Sequence, residues 1–267
     1  MGELQEIVSV IMPAYNAARY LEEAVASVLA QTWQNWELII IEDASSDGTW
    51  QLVNMLAKRD ARIRILRNQN NLGAAKSRNQ GVMEARGDWI AFLDSDDVWE
   101  PEKLAAQIEF AHQKGAEFTF TGSAFMDVDG KRRSYYLAVP EKVSYRQLLK
   151  QNIISCSSVL IRRSLLLEYP MEQSGVLHED FAVWLRILRE KHIYAYGLNQ
   201  PFLIYRVSAG SSSGNKWKAA RMTFRVYRYI GLPLVAVLYY WLCYTKRSNG
   251  VQGVQTRLKR KDRFESK

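Results

Sequence analysis

Trp89-Ile90-Ala91-Phe92-Leu93-Asp94-Ser95-Asp96-Asp97-Val98-Trp99-Glu100-Pro101 is the stretch on which the reading of this chain turns. Its apolar first half has the composition of a buried strand, which ends in three carboxylates within four positions before Pro101 opens a helix. Crowding like charges at the tip of a buried strand is unfavourable, because each carboxylate resists a neighbour of the same sign. A hard cation removes the conflict. Mg²⁺ or Mn²⁺ takes oxygen ligands, keeps several waters, and is usually held by one or two carboxylates together with the phosphates of a substrate. An acidic turn with a capping Asp explains one of these carboxylates well and three of them poorly.

Upstream, Ile7-Val8-Ser9-Val10-Ile11-Met12 reads as a buried parallel strand, broken by Pro13-Ala14-Tyr15-Asn16. Apolar residues then recur at helical spacing from Ala17 to Gln31. The turn lacks the Gly-x-Gly-x-x-Gly that close approach to a dinucleotide pyrophosphate needs, which disfavours a dinucleotide-dependent dehydrogenase. Tyr15, at the strand tip, suits a flat base or simply packs the loop. A second strand, Trp36 to Ile41, ends in Glu42-Asp43, and a helix is expected from Thr49 to Lys58. Ser45, Ser46 and Asp47 read as caps, whereas Asp43 sits where open α/β sheets place ligands. A short strand at Arg62–Leu66 precedes Asn70-Asn71-Leu72-Gly73, which turns into a helix of small residues from Ala74 to Gly81. On that helix Lys76 reads as solvated surface, and Arg78, flanked by packing residues, as a group aimed at an anionic site. With a helix from Pro101 to Gln113, the first half is four βα units, and strands one, two and four end in candidate ligand residues.

The second half is less regular. Strands are expected at Glu117–Phe125, Ile153–Ile161 and Pro201–Ser208, with a structural hairpin turn at Asp127–Lys131 and a short helix at Tyr145–Leu149. Glu179-Asp180 opens an amphipathic helix, where carboxylates favour the helix dipole or supply a general base beside the metal site.

The 267 residues allow one large core or a core with an appendage, and the net charge of +8 is unevenly spread. Residues 214–267 hold thirteen Lys and Arg against two Asp and Glu, so the rest of the chain is slightly acidic. Cys156 and Cys243 match no metal or redox spacing, and the three His residues show no zinc-like spacing. No signal peptide is expected from the short acidic start, and a reducing cytoplasm is the expected setting. The apolar run Ile230–Tyr244 is shorter than a spanning helix needs and contains Pro233. With its basic flanks it suits a helix lying in an anionic membrane interface; the other reading is a helical pair packed on the body, with a disordered Arg257–Arg263 cluster. No nucleic-acid-binding module accompanies the charge.

Taken together, the motifs resemble the family-2 glycosyltransferases from about Ile7 to Ser213. The resemblance rests on Val8 to Asn16, on Glu42-Asp43-Ala44-Ser45-Ser46-Asp47-Gly48-Thr49, and on Asn71-Leu72-Gly73 through Arg78-Asn79. It continues in Phe92 to Asp97 with Trp99, Pro101, Lys103 and Leu104, in Glu179-Asp180 with Trp184-Leu185-Arg186, and in Tyr205-Arg206-Val207 with Gly210, Ser211 and Ser213. It implies a GT-A, Rossmann-like three-layer α/β/α fold with a mostly parallel sheet. The catalytic domain would be 1–213 (a nucleotide-sugar half, 1–113, and an acceptor half, 114–213), followed by a basic, aromatic helical tail at 214–267.

The implied activity is inverting transfer of a sugar from a nucleotide sugar, UDP-linked first among the options, to a hydroxyl of a lipid-linked or cell-surface glycan. Pro13, Ala14 and Tyr15 would bracket the base, Asp43 would hydrogen-bond it, and Arg78 would contact the diphosphate. Asp94, beside Ser95, would hold the ribose or the metal's water, and Asp96 would ligate Mg²⁺ or Mn²⁺. Glu179-Asp180 would be the catalytic pair, with Asp180 the base. Ser208 stands where many members have a His, so Arg206 is expected to grip the leaving group instead. The expected location is the cytoplasm, in peripheral contact with the inner membrane through the tail. The competing reading is a glycan- or nucleotide-binding module of the same fold without turnover, against which the intact Asp94, Asp96 and Asp180 argue. A nucleotidyltransferase would need a Gly- and basic-rich loop after strand one, which is missing.

Overall fold

The computed structural model describes residues 6–173, 177–207, 216–250 and 255–257. Strands and helices alternate at first: β1 (Val8–Ala14), α1 (Leu21–Leu29), β2 (Trp36–Glu42), α2 (Thr49–Ala57), β3 (Ile63–Arg67), α3 (Ala74–Glu84) and β4 (Trp89–Phe92). β1 lies parallel between β2 and β4, and β3 extends β2 in parallel. The register sets Ala14 beside Glu42 and Ile11 beside Phe92, so the loops after β1, β2 and β4 leave along one edge.

Side chains of a strand alternate between faces, and here both faces are covered. Ile11, Ile39, Ile41, Ile90 and Phe92 join the core on the α3 side. Val10, Met12, Leu38, Ile40 and Ala91 join the core beneath α1 and α2. This produces the three layers.

Beyond β4 come β5 (Val98–Trp99), α4 (Lys103–Lys114), β6 (Phe118–Met126), β7 (Arg132–Leu137), β8 (Lys142–Val143) and α5 (Tyr145–Leu148). They are followed by β9 (Val159–Arg162), α6 (Arg163–Glu168), α7 (Glu179–Glu190) and β10 (Ala195–Arg206). The chain then forms α8 (Lys216–Tyr229), α9 (Leu234–Gly250) and β11 (Gln255–Arg257). β9 is antiparallel to both β4 and β6, so the sheet is mixed, parallel at β1 to β4 and largely antiparallel beyond, in the order β11-β7-β6-β9-β4-β1-β2-β3. β10 runs parallel to β6 and also pairs antiparallel with β5, which brings the far end of the fold against the Asp94–Asp97 loop.

Two of the strands expected in the second half begin elsewhere. The strand expected over Ile153–Ile161 begins only at Val159, because Ser158 donates through both its N–H and its hydroxyl to the Ser155 carbonyl and winds Cys156–Ser158 into a 3₁₀ turn. β10 starts at Ala195 rather than Pro201, and a register shift between Leu198 and Leu203 accommodates the proline.

The tail begins as two helices that meet at Pro233. α8 packs on the body: the buried Tyr227 hydroxyl donates to the Leu149 carbonyl, and its ring lies 6.1 Å from that of Phe181. α9 is tied to α8 by Trp241 Nε1 donating to the Ala220 carbonyl at 2.8 Å. No described helix is long and apolar enough to cross a membrane. Most of the Arg257–Arg263 cluster lies outside the described residues.

Candidate active site

The loops after β1 and β2 are built against each other. Asn16 and Ala44 both take positive φ, 49° and 59°, a region that residues with a Cβ enter only when tertiary contacts hold them there. Asn16 N–H donates to Ser45 Oγ, and Ser46 N–H donates back to Asn16 Oδ1. Asp47 accepts from Ala18 N–H and from both the N–H and the hydroxyl of Thr49, so it cross-links the loops rather than merely capping a helix. Its slight burial pulls the other way, but these hydrogen bonds hold the carboxyl below its ordinary value.

Asp43 is buried and accepts three hydrogen bonds, from Asn68 Nδ2 (2.7 Å), Leu72 N–H (2.9 Å) and Gly73 N–H (2.8 Å). The carboxylate thereby shapes the turn into α3, where φ of +83° at Gly73 calls for glycine. Beside Asp43 opens a cavity of about 350 Å³, lined by Pro13, Ala14, Tyr15, Asp43, Arg78, Asp94, Ser95 and Asp96, with Asn71, Gly73 and Ala74 completing it. Eight residues expected at the donor or the metal thus meet in one place.

Arg78 reaches this cavity from the buried side of α3. Its Nη2 lies 2.5 Å from Asp94 Oδ1, and its Nη1 lies 3.3 Å from Glu179 Oε1. Burial works against the guanidinium charge, and Asp94 foremost, with Glu179, more than compensates. Asp94 is further set by its N–H donating to Ser157 Oγ.

Asp96 and Asp97 have different fates. Burial first, then the nearby Asp94, pushes Asp96 up, which is the condition a bound cation would relieve. Asp97 Oδ1 accepts from Arg206 N–H, while its buried Oδ2 has no partner among the described residues. Burial and its two acidic neighbours push Asp97 well above the carboxylate range. Among the described residues no group of three His, Cys, Asp or Glu side chains could hold a metal by itself. The donor set fits a hard cation whose coordination is finished by phosphate oxygens and water.

A second cavity of about 310 Å³ adjoins the first and shares Arg78 and Asp94 with it. Glu179 and Asp180, in the first turn of α7, line it with Asn152, Ser155, Cys156, His178 and Met222 among others. Burial and then Glu179 raise the Asp180 carboxyl, with His178 and Arg78 opposing. A carboxyl raised in this way is better matched to taking a proton near neutrality. Sequence patterning carried no signal for Asn152 or Met222, which come from an irregular segment and from the tail.

Arg206 does not reach either cavity. Its buried guanidinium donates to the carbonyls of Asp96 (2.8 Å) and Asp127 (3.3 Å), pairs with Glu23, and stacks 4.3 Å from the Tyr20 ring. It braces the Asp96 loop from behind instead of gripping a ligand. Ser208, Gly210, Ser211 and Ser213 lie outside the described residues.

Residues 9–169 match the family model described as Glycosyl transferase family 2. TuaG of Bacillus subtilis, named for teichuronic acid biosynthesis, is 41% identical over 237 residues, covering 86% of this chain and 90% of TuaG. WfgD of Escherichia coli, named as a UDP-Glc:α-D-GlcNAc-diphosphoundecaprenol β-1,3-glucosyltransferase, is 37% identical over 242 residues, covering 89% and 92%. Among solved structures, residues 1–349 of S. aureus TarS in complex with UDP align with a TM-score of 0.65 at 18% identity, over 91% of this chain and 72% of TarS 1–349. The Pyrobaculum calidifontis mannosyltransferase PcManGT, in complex with GDP-Man and Mn²⁺, aligns with a TM-score of 0.69 at 16% identity, over 91% and 72%. The fold is the GT-A, Rossmann-like fold, and the chain belongs to glycosyl transferase family 2.

Proposed function

We propose that this glycosyltransferase moves a sugar from a UDP-sugar to a hydroxyl of a lipid-linked or cell-surface glycan, with inversion at the anomeric carbon. The observation that carries the reading is the pair of adjoining cavities joined at Arg78 and Asp94, with Asp96 on one side and Asp180 on the other. That arrangement provides for a charged leaving group and a proton acceptor at the two ends of one displacement.

In the first cavity Pro13, Ala14 and Tyr15 bracket the base, and Asp43 and the turn it shapes form the adjacent wall. Arg78 neutralises the diphosphate as it leaves. Asp94 and Ser95 hold the ribose side, and Asp96, with Asp94, is the group that would hold Mg²⁺ or Mn²⁺, whose Lewis acidity neutralises charge developing on the leaving group. In the second cavity Asp180 takes the proton of the attacking hydroxyl, and Glu179 keeps Arg78 in place. A single displacement with base and leaving group on opposite faces inverts the centre and needs no covalent intermediate. The donor named for WfgD and the UDP held by TarS support a UDP-sugar, and the acceptor named for WfgD supports a lipid diphosphate glycan. With such an acceptor the enzyme works at the cytoplasmic face of the inner membrane.

A thermal-shift screen of UDP-, GDP- and dTDP-sugars, with and without Mn²⁺, tests the donor side. Stabilisation by UDP-sugars that depends on Mn²⁺ is expected; no response to any nucleotide sugar overturns the reading. Donor binding without release of UDP to a mixed acceptor pool would identify a silent binding module.

A further inference from the structure

The α8–α9 pair carries a surface that the reaction does not use. On α9, Leu234, Val235, Leu238, Tyr239 and Leu242 are between 47 and 82% exposed. Their spacing gathers them within one arc of the helix rather than scattering them around it. The exposed Lys246 continues the same stripe four residues beyond Leu242. On α8, Trp217, Arg221 and Arg228 share one exposed face, with Tyr229 exposed at its end. From Lys216 to Gly250 there are seven Lys and Arg and no Asp or Glu, and the flanking acids in sequence are Glu190 and Asp262.

We propose that this face is the docking surface for an anionic lipid bilayer, seated beside the acceptor cavity. An apolar stripe on α9 that runs into Lys246, next to a basic and aromatic face on the helix packed against it, combines the chemistries of acyl chains and anionic headgroups. α9 has 17 residues and follows Pro233, so it lies on the bilayer rather than crossing it. A second copy of the chain fits less well, because a two-fold contact would bring the basic residues of both copies together, and α8 and α9 carry no acid of their own to pair with them.

The position of the surface gives it a purpose. Met222, on the same helix as Arg221, lines the cavity that holds Asp180. One helix is therefore both a wall of the acceptor cavity and part of the docking face. A lipid-borne hydroxyl would then enter beside the base without leaving the membrane surface. The proposal rests on the lipid-linked acceptor of the preceding reading only for this last step; membrane docking is measurable without donor or acceptor.

The test is co-sedimentation of the full chain at low salt. One set of vesicles is phosphatidylcholine alone, and the other contains about a third phosphatidylglycerol. The wild type is expected to bind the anionic vesicles at least about tenfold better, and added salt should reverse this. Val235→Glu with Leu238→Glu should lower that binding about tenfold, and Arg221→Glu with Arg228→Glu should remove the preference for anionic lipid. Should a glutamate pair unfold the chain, Val235→Ser with Leu238→Ser serves instead, with melting by circular dichroism as the control. Absence of vesicle binding, or equal binding to both compositions, overturns the proposal. So does a dimer, seen by light scattering, that Val235→Glu with Leu238→Glu converts to monomer while vesicle binding is unchanged. Failure here with an intact UDP-sugar thermal shift leaves the glycosyltransferase reading standing and removes only the docking surface.

Discussion

Arg78 Nη1 lies 3.3 Å from Glu179 Oε1 across a gap of 101 residues in the chain. The same guanidinium is 2.5 Å from Asp94 through Nη2, so one planar cation ties the end of β4 to the start of α7. The forked guanidinium bridges the two carboxylates, one nitrogen to each, where both cavities meet, and a point charge cannot reproduce this geometry.

Arg78→Lys is therefore expected to lower kcat/KM about 100-fold, equivalent to ~2.7 kcal/mol, although the charge is conserved. Steady-state kinetics with saturating acceptor measure it. Activity within a few-fold of wild type would show that charge alone suffices.

Asp180→Asn should retain UDP-sugar binding by calorimetry and lower turnover by roughly 10³-fold or more. Burial and Glu179 raise the Asp180 carboxyl. A general base works only when ionised, so if Asp180 has this role the rate of the wild type should fall as pH drops through an apparent pKa above the ordinary Asp value. An acid limb at the ordinary carboxylate position, or one that survives in Asp180→Asn, would remove Asp180 from this role.

The metal role proposed for Asp96 has a different signature. Asp96→Ala should weaken UDP binding about tenfold or more when Mn²⁺ is present and change it little when Mn²⁺ is chelated. Calorimetric titrations with and without EDTA make the comparison, and equal loss in both would point to a structural effect.

Lys103 is fully buried on α4, with Nζ 2.6 Å from Gln107 Oε1 and 4.1 Å from the Trp99 ring. Burial lowers its pKa well below the ordinary lysine value, so over the interval between the two the unfolded chain binds more protons than the folded one. Stability from this group therefore rises with pH. Urea unfolding at about pH 6.5 and about pH 9 should show the wild type gaining on Lys103→Met as pH rises. A constant difference would mean that Lys103 keeps its proton in the fold.

A methyl group at Gly81 of α3 would come within 2.5 Å of Ile11 Cγ2 and 3.0 Å of Ile41 Cδ1. Gly81→Ala should cost about 2 kcal/mol by overpacking this helix–sheet contact, despite a better intrinsic helix propensity. Differential scanning calorimetry should find Tm lowered by about 5 °C. A rise in Tm would show that α3 can shift outward freely.

How much was legible in the sequence follows from where the information is local. Buried strands of β-branched residues ending in Pro13, Asp43 and Asp94 announce a parallel sheet with its ligand residues along one edge, because burial on both faces and charge at a strand tip are properties of short segments. The Glu179-Asp180 pair was visible for the same reason. What the tertiary structure decided is partnership. Arg206 stands in a loop motif that reads as a ligand clamp, yet its guanidinium is spent on the Asp96 and Asp127 carbonyls and on Glu23. Asp43, expected to hydrogen-bond the base, is also the acceptor that shapes the turn at Gly73. Met222 and Asn152 reach the cavity beside Asp180 only because β10 folds back along β6 and α8 packs beside α7. Hydrophobic pattern specifies which side of a strand or helix is covered; which polar group each charged side chain meets depends on contacts between distant segments, and those exist only once the chain has closed.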